Sequence, residues 1–178
     1  MKIKNEIMDE SAIRRAIARI SYEILERNQG ADNLCIIGVL RRGSVIAQRI
    51  ASKIEEVEGR PVDIGTLDIT PFRDDRKQEG QTDQSALPFP IEGRTVVLVD
   101  DVLYTGRSVR AAIDALMSRG RPQSIQLATL IDRGHRELPI RPDYVGKNIP
   151  TSKNEDIKVM VPEYDGACRV VILSKESG

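Results

Sequence analysis

The chain has 178 residues, 40% hydrophobic and 30% charged, and its 27 basic and 27 acidic side chains leave a formal net charge of zero. That is enough chain for one domain, and the balance removes bulk electrostatic attraction to nucleic acid while leaving room for local basic patches. No stretch approaches the roughly 18 to 20 apolar residues of a membrane span. The opening "MKIKNEIMDESAIRR" lacks the apolar core of a secretory signal, and Cys35 and Cys168 are too few for a disulfide framework. These features lead to the expectation of a cytoplasmic protein with a buried free thiol at Cys35.

In chain order, Asp9 is placed to cap a helix that runs to about Asn28, with Ile13, Ala16, Ile17, Ile20 and Ile24 on one stripe. "NLCIIGVL" (33–40) is a short continuous apolar run, the pattern of a strand covered on both faces. A second helix is expected from about Ser44 to Val57, with Val45, Ile46, Ile50, Ile54 and Val57 at helical spacing. Strands follow at 62–69 and at "RTVVLVD" (94–100). A helix over 107–119 carries Val109, Ala112, Ile113 and Leu116 inward and is expected to stop at Gly120. "SIQLATLI" (124–131) is a further strand. Alternating strands and helices give a mainly parallel sheet with helices on both faces.

Two segments break the alternation. Residues 71–91 are polar and flanked by prolines, and a loop this long is either functional or disordered. Residues 132–152 have no clean period and are rich in Pro, Gly and Arg.

The chemistry concentrates at "VVLVDDVLYTGRS" (96–108). In an open parallel sheet, ligands bind beyond the carboxyl ends of the strands. Val96 to Val99 therefore deliver Asp100 and Asp101 to that edge, and the helix beginning near Gly106 points its first N–H groups into the same space. A helix N-terminus with a close-approach glycine suits a phosphate, and the Thr105 and Ser108 hydroxyls add donors. Two carboxylates would repel a bare polyphosphate. They suit the vicinal hydroxyls of a sugar whose 5′-phosphate sits on the helix end, which points to a ribose 5-phosphate. There is no GxxxxGK[ST] for a Walker-type NTPase and no G-x-G-x-x-G after a strand for a dinucleotide.

The same stretch resembles the phosphoribosyl pyrophosphate (PRPP) signature of type I phosphoribosyltransferases. "DDVLYTGRS", followed by "SIQLATLIDRGHRELPIRPDYVGKNIPTS", is similar to one branch, the PyrR family of bifunctional pyrimidine operon attenuators and uracil phosphoribosyltransferases. The resemblance runs from "DESAIRRAIARI" to at least "KNIPTS". The 6-oxopurine enzymes carry a carboxylate just before "TG". Here Tyr104 stands there, with a phenol pKa of about 10 that makes it a poor base at neutral pH. Dedicated uracil salvage enzymes have a proline after the first Asp, and orotate enzymes differ in the base-binding segment.

The resemblance implies a single type I phosphoribosyltransferase domain over 1–178. It has a mainly parallel sheet flanked by helices, a flexible lid at about 71–91 and a small hood at about 132–178. It implies transfer of ribose 5-phosphate from PRPP to uracil, giving UMP and pyrophosphate. Asp100, Asp101 and Arg41 would be catalytic. Residues Asp100, Asp101, Val102, Leu103, Tyr104, Thr105, Gly106, Arg107 and Ser108 would hold PRPP and its 5′-phosphate. Arg41, Arg42 and Gly43 in "GVLRRG", with Arg73 from the lid, would hold the pyrophosphate, and the peptide Leu40-Arg41 is cis in the family. Mg²⁺ would come with PRPP, held mainly by substrate oxygens rather than by a protein ligand cluster. Backbone groups around Ile131, Asp132 and Arg133 would face the base. The family also binds pyrimidine-leader mRNA, with UMP or UTP as co-regulator. Arg14, Arg15 and Arg19 on the first helix, and His135, Arg136 and Arg141 in the hood, would form that surface. Ala18 and Tyr22 stand on the same helix face where RNA-binding members carry Thr and His. The alternative is an RNA-binding attenuator that keeps the PRPP site mainly as a nucleotide sensor. The family also implies homodimers or higher oligomers.

Overall fold

Side chains alternate across a strand, and that period of two sorts this chain's apolar residues into two cores. In β2 (Leu34–Val39), Leu34 and Ile36 face one core while Cys35, Ile37 and Val39 face the other. In β4 (Thr95–Leu103), Val97 and Val99 join the first group, Val96 and Leu98 the second. Helices α1 (Glu10–Asn28) and α2 (Arg42–Glu58) cover the first face, and α3 (Arg107–Met117) covers the second. Each wholly buried Ile or Leu contributes about 1.5–3 kcal/mol of transfer free energy. The architecture comes from a computed structural model that describes residues 1–74, 80 and 82–175.

The main sheet has the order β3-β2-β4-β5-β6, all parallel, with β3 at Asp63–Leu67, β5 at Ser124–Asp132 and β6 at Tyr144–Asn148. A second, antiparallel sheet has the order β1-β8-β7, from Lys2–Met8, Arg169–Ser174 and Glu155–Met160. Its inward residues Met8, Ile157, Val159 and Val170 join the core under α1 and α2. The hood expected over 132–178 thus borrows its outer strand from the N-terminus, and residues 176–178 lie outside the described residues.

The first helix follows its sequence pattern: Asp9 accepts the Ala12 N–H at 2.8 Å, and Ile13, Ala16, Ile17, Ile20 and Ile24 are all buried. Several boundaries differ. β4 does not stop at Asp100 but runs to Leu103, because β5 continues alongside it and pairs Val102 with Ile131 and Leu103 with Asp132. α2 starts at Arg42 without a side-chain cap, and Val57, expected on its apolar stripe, is exposed. α3 ends at Met117, and Ser118 is its cap, with right-handed backbone. Gly120 is not among the positive-φ glycines; it instead packs closely on Ile91. Of the expected lid, residues 75–79 and 81 lie outside the described residues. Around them, Thr70–Phe72 make a 3-10 turn and Ala86 bridges back to Thr66. No described helix is long and apolar enough to cross a membrane.

Candidate active site

The carboxyl ends of β2 and β4 set the site. Asp100 is 8% exposed, and its Oδ1 accepts the Asp101 N–H at 2.8 Å, while the Asp101 carboxylate accepts the Val102 N–H at 2.8 Å. Burial, reinforced by the neighbouring Asp101 charge, holds the Asp100 carboxyl well above the ordinary range; the positive charge of Arg73 opposes this. Asp100 is therefore not the solvent-edge carboxylate that a strand ending at that residue would give.

Beyond the strand, Gly106 takes φ +92° so that the chain can turn into α3, and Thr105 Oγ1 accepts the Arg107 N–H at 3.2 Å. A cavity of about 290 Å³ opens there, lined by Arg73, Asp100 and the whole run from Val102 to Val109. An adjoining cavity of about 240 Å³ shares Arg73, Asp100, Val102 and Ser108 and adds Leu40, Arg41, Arg42 and Asp101. The two spaces together place a helix N-terminus, the acidic pair and the Arg41 loop around one elongated hollow. A roomier groove of about 430 Å³ runs between α1 and α2, but its lining shares no residue with this edge.

The Arg41 loop is built by close approach. The Leu40-Arg41 peptide is cis. A Cβ on Gly43 would meet the Val99 carbonyl at 2.8 Å and the Asp100 Cα at 3.1 Å, so only glycine lets α2 start against the acidic strand. Arg41 is exposed at the cavity. Arg42 is used differently from what the motif suggested: its guanidinium forks onto Asp165, at 2.7 and 3.1 Å. Asp165, whose side chain is only 4% exposed, closes α4 (Pro162–Asp165) and also accepts the Val161 N–H. The Arg42 fork holds its carboxyl well below the usual carboxylate range. Nothing in "PEYDG" marked Asp165 as this partner. Arg73 lines both cavities. Arg107 reaches outward to Glu137 at 3.0 Å and Asp74 at 2.8 Å.

At the end of β5, the backbone groups expected to read the base already have partners. The Asp132 carbonyl accepts the Ile149 N–H, the Arg133 N–H goes to the Leu103 carbonyl, and the Ile131 carbonyl accepts from Thr129 Oγ1. Ile131 is wholly buried. Arg133 is 5% exposed, and its side chain is bound to Asp156, the Glu155 carbonyl and Thr151. It lies 4.0 Å from the Tyr104 ring centroid, and His135 meets the same ring edge-on at 5.7 Å.

The arginines proposed for RNA divide into separate places. Arg15 and Arg19 line a groove of about 360 Å³ with Gly146 and Lys147, and Arg19 donates to the Val145 and Gly146 carbonyls. Arg14 lies instead in the α1–α2 groove with Ala18. Arg141 is exposed, His135 is tied to the Thr151 carbonyl, and all three Arg136 nitrogens donate to internal acceptors. Lys147 was not singled out from the sequence, because an isolated lysine in a loop-like segment carries no pattern.

The geometry is matched by kinship. A family model described as a phosphoribosyl transferase domain matches residues 4–165. "Bifunctional protein PyrR" of Acetivibrio thermocellus is 58% identical over 178 residues, covering 98% of this chain and 97% of that one. The chain belongs to the PyrR family of phosphoribosyltransferases. The protein of the same name in Pelotomaculum thermopropionicum is 55% identical over 96% of both chains. Among solved structures, a hypoxanthine-guanine phosphoribosyltransferase of Bacillus anthracis superposes with a TM-score of 0.75 at 20% identity, over 97% of this chain and 99% of that one. At that identity the likeness speaks for the type I fold alone.

Proposed function

We propose that this chain transfers the ribose 5-phosphate of PRPP to uracil, giving UMP and pyrophosphate, and that it binds pyrimidine-leader mRNA under the control of UMP or UTP. The observation that carries the catalytic half is the convergence of Asp100, Asp101, the first turn of α3 and the Arg41 loop on one hollow. The first turn of α3, with Thr105 and Ser108, takes the 5′-phosphate. Asp100 and Asp101 accept from the ribose hydroxyls and favour the positive charge that develops on the ring as the C1′–O bond to pyrophosphate breaks. Uracil N1 forms the new bond to C1′ as its proton passes to water, and pyrophosphate leaves with the electron pair, met by Arg41 and Arg73. Arg42 serves by holding the loop to Asp165.

Among the described residues no three His, Cys, Asp or Glu side chains converge on a metal position. The close acidic pair fits a cation brought in by substrate: Asp100 and Asp101 would flank Mg²⁺ bound mainly to PRPP oxygens. That ion would neutralise charge on the leaving group.

Support for the regulatory half is the cation-lined groove of Arg15, Arg19 and Lys147, with Arg141 exposed nearby in sequence. Net neutrality makes any RNA affinity a property of such a patch. The family favours assembly as homodimers or larger oligomers working in the cytoplasm. The deciding experiment is product analysis with PRPP, Mg²⁺ and uracil, beside hypoxanthine and orotate. UMP formation from uracil alone is the expected result. No UMP, with tight UMP binding retained, would instead favour a nucleotide sensor.

A further inference from the structure

The loop after β5 is laced onto the loop after β4. The Leu103 carbonyl accepts the Arg133 N–H at 3.0 Å, and the Thr105 carbonyl accepts from Glu137 and Leu138 at 2.9 and 3.2 Å. Between them, Arg136 Nη1 donates to the Tyr104 carbonyl at 2.8 Å. Its Nη2 meets Asp132 Oδ2 at 2.6 Å, and its Nε donates to the Ile140 carbonyl at 2.9 Å. Three successive carbonyls of the phosphate loop are thus bound by the hood, and one side chain reaches both loops. Side chains of the same hood segment complete the packing: a Cβ on Gly106 would lie 3.3 Å from Ile140 and 3.5 Å from Leu138.

A guanidinium is planar and rigid, so its three nitrogens fix the separation of the groups they bind. Asp132 closes β5, where the proposed reading puts the base, and Tyr104 precedes the turn that the same reading gives to the 5′-phosphate. The fork therefore fixes the separation of the Tyr104 backbone from the Asp132 carboxylate. We propose that Arg136 is a positioning residue that sets the distance between the base subsite and the 5′-phosphate subsite. It would act through Asp132 and Tyr104 rather than by touching substrate or RNA. The inference rests on reading this hollow as a nucleotide site.

A ligand that fills both subsites gains from their correct spacing, whereas one that fills a single subsite does not. Titration calorimetry with UMP and with ribose 5-phosphate separates the two cases. Arg136→Gln should weaken UMP by about tenfold or more and ribose 5-phosphate by no more than about twofold. Arg136→Lys, which keeps the charge but cannot span three acceptors, should fall between. Thermal unfolding of each variant reports on the fold. Equal losses for both ligands, or an unchanged UMP affinity, would overturn the spacer role. A wild-type protein that bound neither ligand would overturn the site reading and this inference with it, and would do so before any variant was made.

Discussion

The backbone N–H of Asp101 donates to the carboxylate of Asp100 at 2.8 Å, so the two acids of the motif are not equivalent. One is buried and held by its neighbour's amide; the other is half-buried at the mouth of the hollow.

Asp100→Asn is expected to separate stability from activity. Burial and the Asp101 charge raise the Asp100 pKa in the folded protein above its unfolded value of about 3.9. A raised acid favours folding only while it is protonated, and that advantage is lost as pH rises through the folded pKa. Ionising the buried group therefore costs stability as pH rises, and the amide should raise the thermal midpoint at neutral pH. The difference should vanish below about pH 4, where wild type is protonated in both states. The same variant should lower kcat/KM for PRPP by about tenfold or more, some 1.4 kcal/mol of transition-state stabilisation. Asp101→Asn should lose comparable activity with a smaller gain in stability, because it removes the neighbouring charge but leaves Asp100 buried. Midpoints across pH beside steady-state kinetics check both.

The Arg42–Asp165 fork has the opposite sign. Asp165 is depressed by its partner, so its contribution is present above the unfolded pKa of about 3.9 and is lost as pH falls through the folded value. Asp165→Asn should destabilise at pH 7 by about 2 kcal/mol, a typical figure for a hydrogen-bonded charge. That deficit should shrink below about pH 4. Urea unfolding at pH 7 and at about pH 2 is the measurement, since the contribution is lost only between the unfolded and the depressed folded value; an equal deficit at each would dismiss the electrostatic account.

Base choice turns on Tyr104. The superposed purine enzymes share the fold, but here the residue before "TG" is a phenol stacked on Arg133 rather than a carboxylate. Uracil should yield UMP, and hypoxanthine should yield no inosine monophosphate. Tyr104→Phe should keep uracil transfer within about threefold, because ring packing on Arg133 and His135 survives and that contact is worth of order 1 kcal/mol. Chromatography of products decides; inosine monophosphate from wild type would overturn the assignment.

RNA affinity should follow the local patch. Each phosphate contact contributes about 0.7 to the log–log salt slope on single strands. Arg15→Gln, Lys147→Gln and Arg141→Gln should each reduce that slope and weaken a pyrimidine-leader hairpin, while the rate of UMP formation stays unchanged. UMP should tighten wild-type binding. Gel-shift titrations over a range of salt measure both. A wild-type protein with no preference for the leader hairpin over unrelated RNA would remove the regulatory half.

The sequence was most legible where local pattern and tertiary role agree. The first four parallel strands, the Asp9-capped helix and the acid-pair-to-TGRS turn could be read without a partner in view, whereas β6 lies in a stretch with no clean period and is a strand only through its pairing with β5. Nor could β1 be read so, because "KIKNEIM" is mostly exposed and becomes a strand only beside β8, far along the chain. β4 outran its apolar run because ladder pairing with β5 carried two aspartates that have little strand preference of their own. Within the site, residue types were readable but commitments were not. Arg42, Arg133 and Arg136 look like free cations in one dimension, and each is engaged by an acceptor that only folding brings near.

The pairing of β1 with β8, from Lys2 opposite Ser174 to Met8 opposite Val170, also orders events during synthesis. All five parallel strands lie between Leu34 and Asn148, so that layer needs neither β1 nor β8 to pair. The first strand must wait for the last. Until β8 emerges, β1 is an unpaired edge, the kind of surface that recruits foreign strands. Its Lys2, Lys4 and Glu6 are charges of the kind that blunt such an edge.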